Sequence, residues 1–181
     1  RYLQGGRPIF PTPSGRAVFH PRPHAEPHEH PDDAYPLLLN TGRLPHQWHT
    51  MTKTGRVAAL NRLDDGPFVE VHPDDAAALG ICDGQTVELT SRRGRVVLPA
   101  VTTDRVRRGS CFAPFHWNDE HGPDLTVNAV TSPAVDPDSL QPELKVCAVR
   151  VRPAAPAPQP GTIRQSVRLE SGGPVVLWAS Q

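Results

Sequence analysis

Short apolar runs and strict alternations dominate the chain, and helical spacing is clear in one place only. Residues 37–39, three consecutive leucines, read as a buried strand that ends in a polar tight turn. Residues 68–71 (Phe-Val-Glu-Val) predict another strand. Residues 86–90 and 95–101 alternate or run apolar on either side of Ser91-Arg92-Arg93-Gly94, which predicts a hairpin. Residues 109–117 read as a buried strand ending in His116 and Trp117, residues 125–131 start a further element, and residues 146–151 give the last strand. The patch at 57–60 has no clear period. Residues 72–80 predict a short helix, with Pro73 in the first turn, Asp74 and Asp75 at the positive end of the dipole, three alanines and a terminating Gly80. One short helix among strands, with no strand-helix repeat, predicts a mainly β fold: a closed barrel with crossing connections.

Proline frames this region. Residues 1–35 hold Pro8, Pro11, Pro13, Pro21, Pro23, Pro27 and Pro31, which exclude a long helix and favour an extended arm. His20, His24, His28 and His30 lie in the arm, but the prolines between them prevent a helical face that would gather imidazoles on a metal, so a solvated linker is the expectation. Residues 153–181 form a second Pro-rich stretch, whose apolar end at 174–178 suits an edge strand or a docking segment. The start, Arg1-Tyr2-Leu3-Gln4, has neither an initiator Met nor signal-peptide character, and predicts a piece of a longer polypeptide.

Composition narrows the function classes. With 181 residues, 37% hydrophobic and 21% charged, the chain supports one modest core, placed at 36–152 between the two arms. A formal net charge of zero gives no ground for nucleic acid or an anionic membrane as partner, and no apolar run is long enough for a bilayer. Cys82, Cys111 and Cys147 are odd in number and widely spaced, which predicts small buried thiols in a reducing compartment, the cytoplasm. Asp74 and Asp75 are explained by the helix start, and Arg92 and Arg93 at a hairpin tip are expected to be solvated.

Candidate chemistry concentrates just after the first core strand. Gly42 allows close approach of a ligand to the backbone, while Thr41 and Arg43 supply a hydroxyl and a rigid fork of donors. The continuation through His46, Gln47, Trp48, His49, Thr50 and Thr52 sets a dense array of donors and acceptors around one large aromatic. Such groups suit a fused heterocycle's edge and phosphate oxygens.

The run Thr41-Gly42-Arg43-Leu44-Pro45-His46-Gln47-Trp48-His49-Thr50-Met51-Thr52 resembles the dinucleotide-binding signature in the C-terminal domain of the dimethyl sulfoxide reductase superfamily. Its form is most similar to assimilatory nitrate reductase catalytic subunits. Asn128, Thr131, Asp136-Pro137-Asp138-Ser139, Pro142-Glu143 and Lys145 match a second family pattern at fixed spacing, and Pro11-Thr12-Pro13-Ser14-Gly15-Arg16 is similar to a segment preceding that domain. The resemblance implies a six-stranded double-psi β-barrel with short helices. It implies molybdopterin guanine dinucleotide, carrying molybdenum, bound by Thr41, Gly42, Arg43, His46, Gln47, Trp48, His49, Thr50, Asn128 and Lys145. The implied reaction is reduction of nitrate to nitrite by a larger cytoplasmic enzyme, with formate dehydrogenase as the nearest alternative and a free-standing binding barrel as a third. Molybdenum ligands and a 4Fe-4S cluster are expected upstream of this segment, and the expected partners are the upstream domains and an electron donor the sequence does not specify. No residue here is assigned a catalytic role; structural hydrogen bonding is the expectation for His49 and His116.

Overall fold

The computed structural model describes residues 3–64 and 66–154. The apolar stretch at 174–178 therefore lies outside the described residues. The chain opens with a small antiparallel hairpin, β1 (Leu3–Gln4) and β2 (Arg7–Pro8). Gly5 and Gly6, at φ 57° and 77°, take the left-handed positions that a two-residue hairpin turn demands. Six further strands form a closed barrel: β3 (Leu37–Gly42), β4 (Val69–Val71), β5 (Thr86–Thr90), β6 (Arg95–Thr102), β7 (Ser110–Pro114) and β8 (Cys147–Pro153). Their order around the barrel is β3-β7-β4-β6-β5-β8. Pairs β3/β7 and β4/β6 are parallel and the others antiparallel, so the chain must cross over the barrel ends to make the parallel neighbours. The barrel of crossing strands implied by the sequence is present, and closure leaves none of its six strands at a free edge.

Period-two alternation builds the interior. Leu37, Leu39 and Thr41 of β3, Val87 and Leu89 of β5, and Val96, Leu98 and Ala100 of β6 are all buried, with less buried or exposed residues between them. Val69, Val71, Cys111, Ala113, Val149 and Val151 complete the core. Two short helices lie outside the barrel strands among the described residues: α1 (Ala58–Asn61), at the patch that showed no period, and α2 (Pro73–Leu79), which lays Ala76 and Leu79 on the core. The second forms as its sequence dictates. His72 caps it through Nδ1, which accepts the Asp74 N–H at 3.2 Å, and Gly80 ends it at φ 66°.

Four local expectations need correction. The first strand does not stop at residue 39: Asn40, Thr41 and Gly42 pair with Phe112, Ala113 and Pro114, so the predicted turn begins three residues later. The element begun at 125–131 is a single 3-10 turn, Val127–Val130, that lays Val127 and Val130 on the core. Cys111 and Cys147 are buried thiols as expected, but Cys82 is exposed. Arg92 and Arg93 are not merely solvated. Arg92 Nη1 and Arg93 Nη2 donate to the Glu29 carboxylate at 2.6 and 2.7 Å, and Arg92 also pairs with Asp32 and covers the Tyr35 ring at 4.7 Å. The second half of the arm is thus fastened to the barrel rather than free in solvent.

Candidate functional site

The polar array gathers where β3 leaves the barrel. Thr41 is buried inside the strand end, and its Oγ1 donates to the Leu144 carbonyl at 2.7 Å. Lys145, one residue on, donates from Nζ to the Thr41 carbonyl. Two segments about a hundred residues apart are therefore stitched together by adjacent hydrogen bonds. Gly42 is required there by space: a Cβ would stand 2.6 Å from Cε2 of Phe112 and 3.8 Å from the Lys145 ammonium.

Beyond Gly42 the chain forms a loop held from beneath by His116. This imidazole is fully buried; Nε2 accepts the Leu44 N–H at 2.8 Å and Nδ1–H donates to the His49 carbonyl at 2.6 Å. The pair of bonds fixes the ring as the neutral Nδ1–H tautomer. Clamped this way, the loop adopts left-handed backbone at His49 (φ 48°) and Met51 (φ 60°), and Met51 is buried beneath it. Trp48 stays 56% exposed, with Arg43 over its ring at 5.3 Å and the His49 ring edge-on at 4.6 Å. An exposed indole carrying a guanidinium offers a flat, positively charged surface for a planar or phosphorylated ligand.

Other members of the array point elsewhere. Gln47 is buried, and its Nε2 donates to Asn61 Oδ1 at 3.2 Å, while Gln47 Oε1 is buried with no hydrogen-bond partner among the described residues. His46 reaches Asp64 through Nδ1 at 3.3 Å, and the Thr50 hydroxyl lies 3.4 Å from that of Thr52. Asn128 is exposed on the 3-10 turn over the β5–β6 hairpin, apart from the loop contacts just described. Asn61, Asp64 and Phe112 were missed by sequence reasoning; their roles come from contacts across the fold, which local pattern does not record.

A cleft of about 400 Å³ opens beside Lys145, lined among others by Asn40, Arg105, Arg107, Cys111 and Phe112. Arg105 pairs with the buried Glu70. Burial pushes the Cys111 thiol far above the ordinary thiol range, which makes it an apolar wall of the cleft rather than a nucleophile.

A small closed barrel with a clamped, hydrogen-bonding loop and cationic side chains at one strand end has the parts of a ligand-binding barrel. Residues 37–148 match the family described as the Molydopterin dinucleotide binding domain, and the chain belongs to that family. It is 41% identical over 165 residues to a nitrate reductase of Symbiobacterium thermophilum, covering 85% of this chain and 22% of that one. It is 39% identical over 141 residues to the F420-dependent formate dehydrogenase 1 subunit alpha of Methanococcus maripaludis, covering 77% and 20%. The chain thus spans about a fifth of the length of these relatives. Among solved structures, acetylene hydratase from Pelobacter acetylenicus shares the fold with a TM-score of 0.58 at 20% identity, over 66% of this chain and 18% of the other.

Proposed function

We propose that this domain holds molybdopterin guanine dinucleotide at the loop after β3, within a larger molybdenum enzyme that reduces nitrate to nitrite. The Arg43–Trp48 pair carries the reading: a guanidinium lies 5.3 Å from the centre of an indole ring left 56% exposed, a planar cationic face on the loop after β3. A pterin or guanine ring stacks on such a face, with its phosphates beside the guanidinium. Arg43 and Lys145 offset pyrophosphate charge, Trp48 offers its face to a ring, and Thr41, Gly42, His46, His49, Thr50 and Asn128 supply or shape the remaining polar surface. When bound, the cofactor supplies two-electron oxygen-atom transfer at molybdenum; this chain's part is to bind and orient it. A 4Fe-4S cluster, the molybdenum ligand and the electron donor belong to regions upstream of this segment or to other chains. A cytoplasmic setting is supported by three unpaired thiols, one of them exposed.

Nitrate is favoured over formate by the Gln47-Trp48-His49-Thr50-Met51-Thr52 form of the loop. The competing formate dehydrogenase reading draws on the relative 39% identical to this chain. Assaying the complete enzyme with reduced viologen and nitrate, beside formate-dependent dye reduction, separates them: nitrate turnover is expected, and formate turnover alone overturns it. Molybdenum analysis of the same sample tests the binding role, since Arg43→Ala and Lys145→Ala are expected to lower metal content while the barrel stays folded.

A further inference from the structure

The segment that carries Lys145 is pinned at both ends by two consecutive residues of the Pro-rich arm. At one end the His28 N–H donates to the Glu143 carboxylate, 3.1 Å from each oxygen. At the other, the Ala148 N–H donates to Glu29 Oε2 at 3.1 Å. Between these anchors lie the Leu144 carbonyl and the Lys145 ammonium, the two groups that engage Thr41 at the end of β3. Glu29 itself cannot drift. Its side chain is only 9% exposed, and Arg92 and Arg93 hold it at 2.6 to 3.2 Å.

Strand pairing alone does not require this arrangement. β8 is already paired with β3 and β5, so the barrel closes without the arm. What the arm adds is a fixed length for the stretch 143–148, and with it the place of Lys145 against Thr41 and the adjoining cleft. Arg92 and Arg93 come from the β5–β6 hairpin tip, so the same clip joins that hairpin, the arm and β8 in one charge-assisted network.

We propose that His28 and Glu29 form an intramolecular clip that positions the Lys145 segment, making Glu29 and Glu143 positioning residues for the binding site at the end of β3. The arm is then a working part of the site, and a change in its path moves Lys145. This proposal rests on the reading of Lys145 as a cofactor contact.

The test uses the full-length enzyme with Glu29→Ala, which removes the acceptor, and His28→Pro, which removes the backbone donor together with the imidazole, beside His28→Ala, which removes the imidazole alone and keeps the donor. Hydrogen-deuterium exchange and molybdenum content are read on all three. Losing a hydrogen bond to a charged group is expected to speed exchange across residues 144–148 by about tenfold or more, with residues 86–90 unchanged. Molybdenum per polypeptide is expected to fall by about half or more, and Glu29→Gln, which keeps one acceptor oxygen but loses the charge, is expected to restore only part of both. Unchanged exchange at 144–148, or a rise spread evenly over the barrel, overturns the clip. Raised exchange with full molybdenum overturns its link to the site. A wild-type enzyme without molybdenum defeats the cofactor reading instead, and the exchange data still decide whether the clip exists.

Discussion

His116 and His49 are joined by a 2.6 Å hydrogen bond in which a fully buried imidazole donates to the carbonyl of a residue held at φ 48°. With Nε2 of the same ring accepting the Leu44 N–H, one side chain from the end of β7 closes the loop that bears the family signature. The loop's shape is thus set from the barrel side and is ready before a ligand arrives. His116→Phe keeps an aromatic ring, somewhat larger than imidazole, and removes both ring nitrogens that make these bonds. Leu44 is half-buried and His49 exposed, so water recovers part of the loss, and about 1–3 kcal/mol of stability is expected to go. Urea denaturation measures the loss. Proteolysis within 43–52 is expected to quicken in the variant, whereas a loop that holds its shape without His116 would be cut at the wild-type rate.

Gly42 and Phe112 are a second coupled pair. A Cβ at residue 42 would sit 2.6 Å from the ring, so Gly42→Ala forces Phe112 to swing or the strand to shift, at a cost of about 1–3 kcal/mol. The same Cβ would lie 3.8 Å from the Lys145 ammonium, in ordinary contact with it. Phe112→Leu in the same chain makes room. A double-mutant cycle is expected to show a favourable coupling of about 1 kcal/mol or more. Simple additivity would mean that the glycine is needed for some other reason.

Glu29 gives the barrel an acid limit. Burial pushes its carboxyl up, but hydrogen bonds from Arg93, Ala148 and Arg92 outweigh that and hold it at about 2, against 4.5 for an ordinary glutamate. A carboxyl lowered on folding stabilises the native state above its unfolded value, and that contribution fades as pH falls from about 4.5 toward 2. Asp32, Glu88 and Asp136 are lowered too and act in the same direction. Thermal midpoints are expected to be flat above pH 5 and to fall below it, with a shallower fall in Glu29→Gln. Equal slopes for the two proteins would remove Glu29 from the account.

How much of this was legible depended on the range of the interaction. The β5–β6 hairpin and α2 were readable because alternation, proline, acids and glycine act within a few residues of one another. The end of β3 was not. Asn40, Thr41 and Gly42 carry little strand signal of their own, and their pairing with β7 lies about seventy residues away. Arg92 and Arg93 were misjudged for the same reason, since their partners Glu29 and Asp32 sit some sixty residues upstream. In the candidate site, the crowd of polar residues at 41–52 was visible as a crowd, but its geometry was hidden. Gln47 turns inward to Asn61 while Trp48 turns out, and no local pattern separates the two.

The turn that presents Asn128 is seated on the β5–β6 hairpin by a contact that a single methyl group can test. Gly94, at the tip of the β5–β6 hairpin, packs so closely on the 3-10 turn that a Cβ would lie 2.8 Å from the Ala129 carbonyl oxygen. That neighbour is backbone, so it cannot rotate out of the way as a side chain would. Val127 and Val130 on either side of it are buried in the core, which keeps the turn from retreating. Gly94→Ala therefore has to push either the hairpin tip or the turn that presents Asn128. Arg93 ties the two together, its guanidinium donating to the Val130 carbonyl at 3.1 Å, so the strain falls on a connected unit. A loss of about 1–3 kcal/mol is expected, or roughly 4 °C in thermal midpoint for each kcal/mol in a domain of somewhat over a hundred residues. If Asn128 contributes to binding as proposed, molybdenum retention falls along with the midpoint. A variant as stable as the parent would show that hairpin and turn separate freely, and that Asn128 is not held in place by the barrel.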